Sequence, residues 1–164
     1  MYEEGTGVIQ DYKEAVKLYR LAVEQGDPLA QNNLGGMYDN GKGVGQDYKE
    51  AVKLYRLSAK QGNAFGLHSL GAMYSKGTGV IQNDKEAVKY FKIAAEKGFL
   101  HSQYNLGLKY VHGQGVAQDK VLAHMWWNIA ASEGYESAKK DKDKLIKEMT
   151  ASQIEEAERL AREW

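Results

Sequence analysis

The chain has 164 residues, with 22 Lys plus Arg against 22 Asp plus Glu, so its formal net charge is zero. That balance argues against nucleic-acid binding, which needs a strong basic field, and the last stretch, Lys139–Trp164, is charge-rich but balanced as well. Cysteine is absent, which excludes disulfides and thiolate metal sites, and no apolar run approaches the roughly 20 residues needed to span a bilayer.

The chain opens with Tyr2-Glu3-Glu4-Gly5-Thr6-Gly7-Val8, the tail of a segment that returns in full three times. Leu34-Gly35-Gly36-Met37-Tyr38 runs on to Gly41-Lys42-Gly43-Val44, and its counterparts start at Leu70 and at Leu106, 36 residues apart each time. A fixed period of this length marks a stacked repeat array in which each unit buries its core against its neighbours. Gln10 to Leu21 is identical to Gln46 to Leu57 at all twelve positions. Within it Ala15, Leu18, Ala22 and Gln25 recur at helical spacing, so a helix, B, is expected over 11–25. Asp11 with Glu14, and Asp47 with Glu50, cap its start, and Gly26, Gly62, Gly98 and Gly134 end it and its counterparts. Asp27-Pro28 opens the next helix, A, which is expected to end at about Tyr38, before the Gly-x-Gly loop. Gly35, Gly71 and Gly107 sit inside helix A at a cost of about 1 kcal/mol each, which a neighbouring helix pressed against the backbone would explain.

In the third unit Ala87, Tyr90, Phe91, Ala94 and Ala95 keep the scheme, and in the fourth His124-Met125-Trp126-Trp127 stands where Val16-Lys17-Leu18-Tyr19 stood. After Gly134 the pattern changes. Lys139 to Lys144 is too charged for an interior helix and reads as a solvated face, although Ala138, Leu145, Ile146 and Met149 leave one apolar side. Thr150-Ala151-Ser152-Gln153 is a capping box, and Ile154, Ala157, Leu160, Ala161 and Trp164 form one stripe on a last helix. A solenoid needs such a polar end. The expected division is therefore tandem repeats over 1–134, the first lacking its own helix A, and capping helices over 135–164.

The assembled pattern resembles the Sel-1-like repeat family, a helical-repeat branch close to the tetratricopeptide repeats. Ala30, Leu34, Gly35, Tyr38, Gly41, Gly43, Val44, Asp47, Ala51, Ala59 and Gly62 fit the family's ordered positions, with Leu54-Tyr55 at its aromatic site. The departures are Gly66 and Ser102 for the helix A alanine, Lys109 for a methionine and Asn83 at the helix B cap. The ending from Asp143 to Trp164 is similar to the tail of bacterial members, as of a protein seen to its natural end. The resemblance implies an all-α, right-handed α-solenoid and non-catalytic adaptor or scaffold work between proteins. It also suggests a bacterial envelope, periplasmic or secreted setting if a signal peptide was removed, and otherwise the cytoplasm. The family's cysteine-rich branch has been linked to β-lactams, a link that a chain without cysteine does not inherit.

No catalytic constellation stands out. The Gly-x-Gly loops precede helices as phosphate loops do, but no strand comes before them and no Gly-Lys-Ser/Thr follows. His68, His101, His112 and His124 have no metal-ligand spacing and read as surface or groove residues. No nucleophile elbow is present, and the carboxylates recur with the repeat as caps do. Neither a cofactor nor a metal is expected. The informative contrast is that helix B is copied unchanged from Asp11 to Leu21 between the first two units, whereas 27–33 and 63–69 differ at all seven positions. In tetratricopeptide-like arrays helix A lines the concave surface, which would put Leu29, Asn32 and Gly36, then Phe65, His68 and Ala72, then His101, Tyr104 and Leu108, in a groove for a protein or peptide. Self-association through the open first repeat, as a homodimer, is the alternative, with a small-molecule binder or hydrolase third.

Overall fold

The computed structural model describes residues 12–164. These residues form nine α-helices and no strand: α1 (Tyr12–Glu24), α2 (Pro28–Asn40), α3 (Tyr48–Lys60), α4 (Ala64–Lys76), α5 (Asp84–Glu96), α6 (Leu100–His112), α7 (Lys120–Ser132), α8 (Glu136–Leu145) and α9 (Ala151–Glu163). The caps read from the sequence are in place. The Asp27 carboxylate accepts from the Ala30 amide at 2.6 Å, with Pro28 starting the helix, and Asp47 accepts from the amides of Lys49 and Glu50. Asp11, Met1 and Tyr2, and the first Gly-x-Gly loop lie outside the described residues. Helix A runs two residues past the expected Tyr38, to Asn40, because its stop is Gly41. That residue takes the left-handed conformation (φ 65°) and donates its amide to the Met37 carbonyl.

The glycines inside helix A mark where the next helix presses on it. A Cβ on Gly35 would lie 2.8 Å from the Tyr55 ring, and one on Gly71 would lie 2.9 Å from Phe91. At Gly107 it would strike the Trp127 indole, whose N–H donates to the Tyr104 carbonyl at 3.0 Å. Behind these rings the cores are continuous from unit to unit. Val16, Leu34 and Leu54 form one cluster, Ala51, Tyr55 and Leu70 belong to the next, and Val88, Leu106 and Trp126 to a third. The second glycine of each loop has another task. At Gly43 (φ 73°) a Cβ would run into the Tyr12 carbonyl, and at Gly79 into that of Tyr48, so each described loop lies on the main chain where the preceding B helix begins. A carbonyl oxygen at that place is a poor neighbour for a phosphate.

The stack closes on α8 and α9. Ala138 and Leu145 of α8 are buried with Ala123, Trp127 and Ala130, and Thr150 and Gln153 exchange both hydrogen bonds of the capping box. Ala157 of α9 is buried, Leu160 and Ala161 pack on the cluster holding Met125 and Trp126, and Trp164 meets Trp126 edge to face at 4.8 Å. The Lys139–Lys144 run is not wholly solvated as expected. Asp141 accepts from the Tyr104 hydroxyl at 2.8 Å, and Lys142 donates to the Asn128 side chain at 2.9 Å. His124 also departs from its surface or groove assignment. It is 2 % exposed, its Nδ1 has no hydrogen-bond partner, and burial, reinforced by Lys142, lowers its pKa.

Candidate functional site

The A helices, α2, α4 and α6, carry the predicted residues in repeating rows, and their start is where the rows differ most. Leu29, Phe65 and His101 occupy the second position of successive A helices and are all exposed, Leu29 at 47 % and Phe65 at 50 %. One turn on come Asn32, His68 and Tyr104, which are half-buried, and a turn further Ala72 and Leu108.

Four of these residues join in one ladder of rings with two that the sequence reading missed, Phe99 and Tyr135. Phe65 meets Phe99 edge to face at 5.0 Å, and Phe99 lies 5.0 Å from His68 and 5.5 Å from His101. His101 reaches Tyr135 at 5.2 Å, Tyr135 reaches Tyr104 at 5.3 Å, and Tyr104 stacks on Trp127 at 6.2 Å. A readable signal existed for the missing pair. Asp27, Asn63, Phe99 and Tyr135 all occupy the N-cap of an A helix or of its counterpart α8, yet only the first two accept a capping hydrogen bond. Giving up such a cap costs about 1 kcal/mol, and one aromatic pair returns a comparable ~0.5–1.5 kcal/mol. The exchange is nearly neutral for the helix and places two more rings on the surface row.

The other predicted residues stand apart from the ladder. Asn32 accepts from the Ser69 hydroxyl at 3.0 Å and lines a cleft of about 350 Å³ with Tyr19, Asn33 and Gly36. Ala72 lies at the junction of two further clefts. One, of about 430 Å³, is shared with His68, Ser69 and Lys76, and the other, of about 280 Å³, with Lys76, Asn105, Leu108 and His112. Leu29 is exposed beyond the end of the ladder. The clefts thus follow one another along the A helices, lined mostly by uncharged hydrogen-bonding side chains.

The electrostatics of the ladder are set by burial. His68 is brought down to about 4, first by burial and then by His101 and Lys76, so its imidazole is neutral at pH 7, with Nδ1 2.9 Å from the Ser102 hydroxyl. Burial and the bond to Asp141 push the Tyr104 hydroxyl up to about 12, which keeps it a donor. Tyr55, at the floor of two clefts, is raised by burial and by Asp39. Beside the smallest cleft, Lys109 is buried and donates to Asp84 at 2.6 Å, Ser75 at 2.7 Å and Gln114 at 3.2 Å. Among the described residues no group of three His, Asp or Glu side chains is placed to hold a metal ion, and no helix is long and apolar enough to cross a membrane. Rings with mixed apolar faces and polar heads can grip a polypeptide by contact and hydrogen bonds.

The Sel1 repeat model matches residues 1–27, 28–63, 64–99 and 100–135. The protective antigen c5321 of uropathogenic Escherichia coli strains, which displays an SLR fold, is similar over 98 % of this chain, with 30 % identity and a TM-score of 0.90. This chain spans only 34 % of that protein's length. A Sel1 repeat protein from Oxalobacter formigenes is 36 % identical, over 79 % of this chain and 97 % of its own, with a TM-score of 0.72. The cysteine-rich protein B of Helicobacter pylori shares the fold at 23 % identity, over 82 % of this chain and 97 % of its own, with a TM-score of 0.62. No curated protein matches the chain. Proteins built from Sel1 repeats are typically non-catalytic scaffolds for protein interaction. Four matched repeats, the inter-helix glycines and the α-solenoid together establish that this chain belongs to the Sel1 repeat family.

Proposed function

We propose that the chain is a non-catalytic adaptor that holds a peptide or protein segment along the A helices, anchored on the ladder from Phe65 to Tyr104. The observation that carries this reading is the ladder itself. Phe65 remains half exposed while Phe99, His101 and Tyr135 contact one another across three units. Clustered, partly exposed aromatic side chains beside hydrogen-bonding groups have the make-up of interface centres. Two helix caps are replaced by rings to complete the row, which a purely structural row would not need. The test is a Phe65→Ala, His101→Ala double variant, since both side chains lie at the surface. Its affinity for a protein co-purified with the full-length chain from its own cell should fall about tenfold or more, as for interface anchors, with the melting temperature little changed. Unchanged affinity would remove the groove from the mechanism.

A second reading, end-to-end self-association, has one observation in its favour. Leu18 is 59 % exposed, whereas the same position in the next unit, Leu54, is 3 % exposed under its neighbours. A second copy stacked on α1 would cover Leu18 in the way that α3 is covered. Light scattering across a concentration series decides it, a monomer throughout being the adverse result.

A further inference from the structure

The outer face of the B helices, opposite to the groove, changes character along the stack. On α1, α3 and α5 it carries Lys17, Lys53 and Lys89 in one row and Arg20, Arg56 and Lys92 in the next, all exposed. One turn on from the lysine row runs an apolar line, Leu21 at 57 % exposure, Leu57 at 41 % and Ile93 at 36 %. On α7 the same three positions read Met125, Asn128 and Ile129, with no cation among them. There Met125 is 6 % exposed, and Ile129 packs on the same cluster as Leu160 and Ala161 of α9. The outer face is therefore neutral and apolar where a helix of the chain itself covers it, and basic where none does.

We infer that the outer face of α1, α3 and α5 is a second docking surface, shaped for an acidic amphipathic helix of a partner protein. It is independent of the groove reading. The apolar line offers one residue per repeat, and α9 with its C-cap residue carries apolar residues seven apart, Ile154 with Ala161 and Ala157 with Trp164. Leucines seven residues apart lie on one side of a helix, so a partner helix that carries them offers one apolar stripe to Leu21, Leu57 and Ile93. The flanking charge asks for acid. Glu14, Glu50 and Glu86 balance the lysine row at 3.0, 3.2 and 3.6 Å. Arg20 and Arg56, by contrast, donate to the neutral hydroxyls of Tyr38 and Tyr74 at 3.0 and 2.8 Å and have no ion pair among the described residues, while Lys92 in the same row meets Glu96 at 4.0 Å. Helix α9 is the internal precedent, an amphipathic helix with four glutamates and two arginines whose apolar side covers the fourth place in the line.

The test uses the full chain and a fluorescein-labelled synthetic helix with leucines at seven-residue spacing flanked by glutamates, and a twin in which every glutamate is lysine. The acidic helix should bind saturably and about tenfold or more tighter than the twin, with an affinity that falls as salt rises. Leu57→Glu and Arg56→Glu, both at exposed positions, should each weaken it about tenfold, while Phe65→Ala in the groove leaves it unchanged. No saturation at millimolar peptide, equal binding of the twin, or indifference to both outer-face variants overturns the proposal. Binding only to vesicles containing phosphatidylserine, with no binding of the peptide, would do so too and would assign the face to membrane.

Discussion

Ser58, wholly buried in α3, faces Gly66 of α4, and a Cβ on Gly66 would strike its hydroxyl and lie 2.9 Å from the Ala59 amide nitrogen. The serine hydroxyl is engaged, donating to the Pro28 carbonyl at 2.6 Å. At the equivalent places in the other units Ala22 stands with Ala30, Ala94 with Ser102 and Ala130 with Ala138. The side chains differ but each pair stays small. Gly66→Ala should therefore cost about 1–3 kcal/mol through overpacking, and Ser58→Ala in the same chain should recover part of that cost. A double-mutant cycle on denaturant midpoints measures the coupling.

Lys109 and Asp84 stand where the second unit has Met73 and Tyr48, at the same separation of 25 residues, and those two line one cleft. Asp84→Tyr alone strands a buried ammonium and should destabilise by about 3–5 kcal/mol. Asp84→Tyr with Lys109→Met restores the scheme of the second unit and should be as stable as the parent or more so, because a buried ion pair rarely beats a well-packed apolar one. Urea unfolding of the two variants separates these outcomes.

His68 makes stability depend on pH in a definite direction. Its folded-state pKa of about 4 lies below the ordinary 6.5, so protonation favours the unfolded chain. The stabilising contribution is fully present above pH 6.5 and is lost as pH falls from there through 4, with a slope of at most about 1.4 kcal/mol per pH unit for this one proton. His124, lowered by burial in the same direction, adds to the loss. A His68→Gln variant should show a shallower fall in unfolding free energy over this range, and proton NMR should find the His68 ring titrating near the lower end of it.

Gln103 has a buried side-chain oxygen without a partner. Two units earlier Gln61 donates its side-chain amide to the Gln31 oxygen at 2.9 Å. The residue at the equivalent place beside Gln103 is Glu133, which as a carboxylate has nothing to donate. Glu133→Gln should supply the missing donor and raise stability by about 1 kcal/mol, seen as a higher melting temperature. The same change should do nothing in a Gln103→Leu background.

The frame of the fold could be read because it is periodic. The interior glycines announced the rings that cover them, since only close approach explains Gly35, Gly71 and Gly107 three times over. The ladder was legible in part. Phe65, His68, His101 and Tyr104 stood out on a helix whose start varies while most of helix B is copied, whereas Phe99 and Tyr135 hid in a row that elsewhere holds caps. What joins them is contact between residues some 34 positions apart, as from His68 to Ser102, and no local pattern encodes that. His124 escaped for a similar reason. Its burial comes from the charged cap segment, whose inward side only the packing of Asp141 and Lys142 reveals.

The second glycine of each described loop, seated on the main chain of the unit before, makes neighbouring repeats touch backbone to backbone. The pitch of the array is therefore insulated from its side chains. Surface rows can be rewritten, one unit at a time, without altering the track on which they are displayed. Whole units of 36 residues should be exchangeable or insertable in the same register, each new one adding its own three or four surface positions to an unchanged ruler.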